Sequence, residues 1–248
     1  MGNIENNDGA NPEGQHIINQ LITTRGSSEQ TEYDLQSLAQ HDSNSSNYIV
    51  DEYLRFGSCI ALQHSTTLRY LSSKCATNNE TSKNGNKDQV FAVRRKSENE
   101  LWMVLQGYGD RRRLKMGEIV PFNTQIRLKH IISRRYLRSH PDSSAPISNQ
   151  QEAVCHGDEH ISDLNDNWLV QRHSYSNHYD NSGYWLAGDA ITLRHIQTGA
   201  TLHSHKIMLD DDKQEVTCYG PGHEENDKWK AERIENISDF IINASQDG

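Results

Sequence analysis

From Phe56 onward the chain alternates apolar and polar positions in short runs, each broken after a few residues by Gly, Asn, Ser or Asp. In "TQIRLKH", Ile126 and Leu128 fall on one face of an extended strand, with Arg127 and Lys129 on the other. Successive strand side chains point to opposite sides, so this period marks half-buried strands. Runs of this kind, spaced by turn formers, predict an all-β domain. The residues before it read differently. They are rich in Asn, Gln, Ser, Gly and acids, with "HIINQLITT" as the one apolar island. Residues 1–54 are therefore expected to be a flexible polar N-terminal arm with at most one short helix, and residues 235–248 a C-terminal tail.

The alternating region repeats. "FGSCIALQHSTTLRYLSS" begins at Phe56, "FNTQIRLKHIISRRYLRSH" at Phe122 and "AGDAITLRHIQTGATLHSH" at Ala187. All three contain Ile-x-Leu-x-His, followed seven residues after the histidine by Leu-x-Ser. The histidines are His64, His130 and His195, 66 and 65 residues apart. A later half repeats too. "DQVFA" around Val90, "QQEAVC" ending at Cys155 and "KQEVTC" ending at Cys218 precede "NELWMV", "NDNWLV" and "NDKWKA". These supply Trp102, Trp168 and Trp229, while Trp185 falls outside the pattern.

Three segments of four strands across residues 55–234 fit a β-trefoil built from three internal repeats. Each would give two strands to a barrel and two to a triangular cap, because one repeat alone cannot bury its apolar side. A propeller of four-stranded blades is the competing architecture, and three blades fall below its usual range. In the trefoil, Trp102, Trp168 and Trp229 become core plugs. A histidine present once per repeat reads as a structural group, its imidazole bonded to a turn carbonyl, so His64, His130 and His195 are assigned to the core.

These motifs resemble those of the MIR domain, a module of protein O-mannosyltransferases, inositol trisphosphate and ryanodine receptors, and stromal cell-derived factor 2-like proteins. "GDAITLRHIQTGATLHSH", "KQEVTCYG" and "NDKWKA" carry the resemblance in the third segment, and "SAPISNQQEAVCHG" with "NDNWLV" in the second. The first departs from it, with "LSS" in place of "LHSH" and a "TNNETSKNGNK" loop. The resemblance covers residues 55–234 and implies a β-trefoil without chemistry of its own. It points to a monomeric binding or adaptor module for a polypeptide, glycan or protein partner. The alternative it implies is an accessory factor of protein quality control or O-mannosylation in the endoplasmic reticulum.

Composition narrows the field. The net charge of −9 argues against nucleic acid or an anionic membrane as partner, each of which needs a basic face. The one basic run, "DRRRLK" from Asp110 to Lys115, reads as a solvated hairpin. No window approaches the length of a membrane span, and "MGNIENNDGANPEGQ" has no basic and apolar signal pattern, so a cytoplasmic location is expected. Sequons at Asn44, Asn79, Asn236 and Asn243 would matter only on the secretory route. The four cysteines show no Cys-x-x-Cys spacing. No phosphate loop, nucleophile elbow or His-Glu-x-x-His is present, and Glu224, Glu225 and Asp227 read as loop solvation, so no catalytic residue and no cofactor is assigned.

The candidate binding residues lie beside the Leu-x-Ser motif. His203 and His205 alternate with Leu202 and Ser204, so both imidazoles are expected to point outward from the same strand face. Arg138 and His140 hold the matching places in the second segment, and Ser72 and Lys74 in the first. A histidine pair at this spacing can chelate, but zinc needs further ligands and none is assigned. Thirteen histidines also raise the question of a pH-dependent site.

Overall fold

The computed structural model describes residues 52–73, 87–112, 114–158, 160–173 and 182–237. All but the last three residues of the expected arm, the "TNNETSKNGNK" loop up to Asn86, Lys74 and most of the expected tail lie outside these. Strands β1 to β4 are Cys59–His64, Tyr70–Ser73, Lys87–Val93 and Leu101–Gln106. Strands β5 to β8 are Thr124–His130, Tyr136–Ser144, Gln151–His156 and Trp168–Arg172. Strands β9 to β12 are Ala190–His195, Thr201–Met208, Gln214–Tyr219 and Trp229–Arg233. Three single-turn 3-10 helices, Glu98–Glu100, Leu164–Asp166 and Glu225–Asp227, precede β4, β8 and β12. The fold is all-β, and among the described residues no helix is long and apolar enough to cross a membrane.

Six strands close on themselves. β1 pairs with β4, β4 with β5, β5 with β8, β8 with β9, β9 with β12 and β12 again with β1, all antiparallel. Closure satisfies both edges of every strand in the ring and leaves no edge open to aggregation. The remaining strands form the hairpins β2–β3, β6–β7 and β10–β11. Their second strands pair cyclically, β3 with β7, β7 with β11 and β11 with β3.

The core fills this barrel. Ile60, Leu62, Ile126, Leu128, Ile191 and Leu193 face inward with no exposed surface, as do Trp102, Trp168 and Trp229. The indoles would leave three N–H groups stranded in an apolar interior, a cost of about 1–3 kcal/mol each. Each is instead donated to a hairpin carbonyl: Trp102 to Leu71, Trp168 to Leu137 and Trp229 to Leu202, at 2.9, 2.9 and 3.0 Å.

Where β1, β5 and β9 begin, the chain closes the barrel by a ring of three backbone bonds. The amide of Leu54 donates to Trp185, that of Trp185 to Val120, and that of Val120 to Leu54, each at 2.9 Å. Trp185 therefore does not fall outside the pattern. It occupies the place that Leu54 and Val120 hold in the other segments, and all three are fully buried. Change of residue type at that position hid the correspondence.

Candidate binding site

Register explains the repeated histidines. His64 lies directly opposite Trp229, His130 opposite Trp102 and His195 opposite Trp168. Each imidazole packs on the indole of the preceding segment, with ring centroids 4.9–5.0 Å apart. Its Nε2 faces a turn carbonyl, Asn226, Asn99 or Asn165, at 3.0, 2.9 and 2.8 Å. A carbonyl only accepts, so Nε2 carries the hydrogen and Nδ1 accepts from the hydroxyl of Thr67, Ser133 or Thr198. Burial pushes His64 and His130 down to about 4, the carbonyl bond offsetting part of the drop, and lowers His195 likewise. These groups are neutral struts between segments at pH 7.

The outer face of the hairpins is where the segments differ. Behind each 3-10 turn lies a buried carboxylate, Glu100, Asp166 or Asp227, each at most 3% exposed. Each accepts the backbone N–H three residues earlier, from Ser97, Asp163 or Glu224 at 2.5, 2.8 and 2.9 Å, closing a capping box. Asp227 is thus not loop solvation as the sequence suggested, although Glu224 and Glu225 beside it are exposed.

A different side chain meets the carboxylate in each segment. In the first, Ser72 Oγ donates to Glu100 Oε1 at 2.5 Å. In the second, Arg138 Nε lies 3.2 Å from Asp166 Oδ1, in ion-pair contact without hydrogen-bond alignment. Its other nitrogens reach Asp163 and, at 2.6 Å, His156 Nδ1. In the third, His203 Nδ1 donates to Asp227 Oδ1 at 2.9 Å, and His203 Nε2 lies 2.9 Å from His205 Nδ1. Burial alone would raise the Asp227 carboxyl, but the bonds from His203 and the Glu224 amide outweigh it and hold it below the usual range.

The four candidate side chains therefore divide into two sites on separate hairpins. His203 and His205 join Asp227, with the half-exposed Tyr219 ring 5.4 Å from that of His203. Arg138 joins the acids, while His140 turns away toward Asp142, on the exposed second half of β6. The expectation that both third-segment imidazoles face outward is corrected for His203. It does point away from the barrel, but the turn carrying Asp227 covers it to 2% exposure. His205 is half-buried. The residues missed by sequence reasoning are Glu100, Asp163, Asp166, Asp227, His156 and Tyr219. A capping-box spacing, Ser97 to Glu100, Asp163 to Asp166 and Glu224 to Asp227, was the signal that could have found the acids. Among the described residues no three His, Cys, Asp or Glu side chains converge as a metal site. Cys59, Cys155 and Cys218 are free and buried, and burial raises each thiol, Cys59 and Cys218 to about 12.

These features define a closed all-β module with a uniform interior and three unlike polar sites outside. The chain belongs to the MIR domain family, whose sequence model matches residues 52–229. A stromal cell-derived factor 2-like protein of Dictyostelium discoideum is 26% identical over 181 residues, spanning 71% of this chain and 81% of that protein. Dolichyl-phosphate-mannose–protein mannosyltransferase 2 of Candida albicans is 35% identical over 133 residues, which span 49% of this chain and 17% of that protein. The crystal structure of the SDF2-like protein from Arabidopsis thaliana superimposes with a TM-score of 0.62 at 27% identity, covering 73% of this chain and 94% of that one.

Proposed function

We propose that residues 55–234 form a MIR-type β-trefoil of three internal repeats, acting as a non-catalytic binding or adaptor module. Its ligand is a polypeptide, a glycan or another protein domain, held on the outer face of the hairpins. One observation carries this reading. The buried carboxylate recurs three times, yet it meets Ser72, Arg138 and His203 in turn. The capping box holds the acid in every segment, so its partner is free to vary, and three unlike partners make the three hairpins chemically distinct on one scaffold. The experiment is binding of the full chain to glycan and peptide arrays, set against a His203→Ala/His205→Ala double variant and an Arg138→Ala/His140→Ala double variant. Selective loss in one variant, with the far-ultraviolet spectrum unchanged, supports the reading. Identical binding by all three folded proteins removes it.

In this reading the module works in the cytoplasm, unglycosylated. A second reading, an accessory factor of protein quality control or O-mannosylation in the endoplasmic reticulum, is favoured by the similarity to mannosyltransferases and stromal cell-derived factor 2-like proteins. Endoglycosidase treatment of the protein from its own cells separates the two. Loss of mass from Asn44, Asn79, Asn236 or Asn243 supports the second, and an unshifted band the first.

A further inference from the structure

Asp227, His203 and His205 form an unbroken chain whose hydrogens can be counted. The ionised carboxylate fixes one hydrogen on His203 Nδ1, and a single hydrogen fits between His203 Nε2 and His205 Nδ1. When the pair is uncharged this leaves one arrangement. His205 Nδ1 donates to His203 Nε2, and His205 Nε2 bears a lone pair. That last nitrogen is enclosed, with no hydrogen-bond partner among the described residues.

We propose that this chain is a proton relay that sets the hydrogen-bonding polarity of the third-segment binding site. Local opening over half-buried His205 admits a proton from solvent, which bonds to the otherwise enclosed Nε2; the bond from His205 Nδ1 to its hydrogen breaks, and that hydrogen bonds to His203 Nε2. One proton is gained and no other atom moves between groups. The positive charge comes to rest on buried His203 against Asp227, and His205 remains neutral in its other tautomer. Its free nitrogen has changed from acceptor to donor. A ligand that displaces the cover over this nitrogen then meets a donor suited to carboxylate and carbonyl groups, where before it met an acceptor suited to hydroxyl and amide N–H groups.

The surroundings favour this placement of charge. Burial, then the neighbouring His203, holds the proton affinity of His205 down, while Glu215 on β11 and Glu224 on the 3-10 turn raise it in part. The Tyr219 ring on β11 lies tilted beside that of His203. His64 on β1 acts on the pair at longer range and stays neutral through burial. Among the described residues Asp227 is the counter-charge in direct contact, and it touches His203. The second segment supplies a fixed comparison, since Arg138 stands there as a permanent cation against Asp166 and Asp163.

The inference rests on the binding reading only for what the site recognises, so its test uses the full chain without ligand. Histidine-labelled protein is titrated by NMR from about pH 8 to about pH 5, the range in which imidazoles change charge, following ring nitrogen shifts. His203 is expected to become imidazolium while the His205 hydrogen moves from Nδ1 to Nε2 at the same midpoint. Asp227→Asn should weaken that proton uptake about tenfold, lowering the midpoint by about one pH unit. His203→Arg should abolish the transition and hold His205 as the Nε2–H tautomer throughout. Charging of His205 with His203 neutral, separate midpoints, or no change before unfolding overturns the relay. The wild-type titration decides this even if a variant fails to fold. A chain that relays its proton yet binds nothing on the arrays refutes the binding reading alone.

Discussion

Acid should unfold this protein through its interior histidines. His64 and His130 titrate at about 4 in the folded chain, against 6.5 for a free imidazole, because burial opposes their charge. Between those values the unfolded chain binds protons that the folded chain refuses, so stability rises with pH. The contribution is fully present above about pH 6.5 and is lost as pH falls toward 4. At about 1.4 kcal/mol for each pH unit between the two values, each histidine is worth about 3 kcal/mol across the window. Acting together they tilt the stability curve by nearly 3 kcal/mol per pH unit. Together they remove about 6 kcal/mol across the window, a large share of the about 5–15 kcal/mol by which a domain is typically stable. Urea unfolding at pH 7, 6 and 5, followed by tryptophan fluorescence, measures the slope directly.

A His130→Gln variant sharpens the measurement. Glutamine can still donate to the Asn99 carbonyl but cannot take a proton, so the variant starts less stable at pH 7 and its slope is smaller by about 1.4 kcal/mol per pH unit. His195, shifted in the same direction, adds to the slope in both proteins. An equal slope in variant and parent, or a flat profile between pH 6 and 5, would refute the reasoning.

Two further expectations follow from packing and backbone geometry. Trp168→Ala removes a fully buried indole and its bond to Leu137, and should lower stability by about 3–5 kcal/mol in the same urea assay. Leu68→Gly should raise stability, by about 0.5–1 kcal/mol. The exposed Leu68 sits at φ 56° in the turn where the third segment has Gly199 at φ 72°, so relief of left-handed strain outweighs the added chain entropy. A melting temperature unchanged or lowered would show that Leu68 gains more from its surroundings than its backbone loses.

The strand pattern was legible in the alternation, and the recurrence of one histidine and one tryptophan per segment in their spacing, but not that each histidine packs on the preceding segment's tryptophan. Those positions repeat because every segment faces the same interior, where shape and hydrogen bonding leave little choice. Trp185 was illegible for the converse reason. Its partners Leu54 and Val120 meet the same apolar requirement with different residues, so the correspondence exists in backbone bonds and not in letters. His203 was misread because alternation tells which face of a strand a residue occupies but not what covers that face. Here the 3-10 turn at Glu225–Asp227 lies over it. Asp227 was misread because two exposed glutamates stand beside it.

The three buried carboxylates show why the outer face is free to diversify when the inner one is not. Each acid is already committed to a capping box that ties the turn to its own backbone, and this requirement is the same in every segment. The acid therefore persists whichever residue stands opposite it on the hairpin. Once present, its outer oxygen is a buried acceptor that must be satisfied. A hydroxyl and an imidazole do so by hydrogen bonds and a guanidinium meets it by ion-pair contact alone, with consequences for charge that differ in kind. Ser72 adds no charge of its own, Arg138 a permanent cation, and His203 a group whose charge depends on one proton. A structural necessity thus supplies three anchors of unlike chemistry on one scaffold.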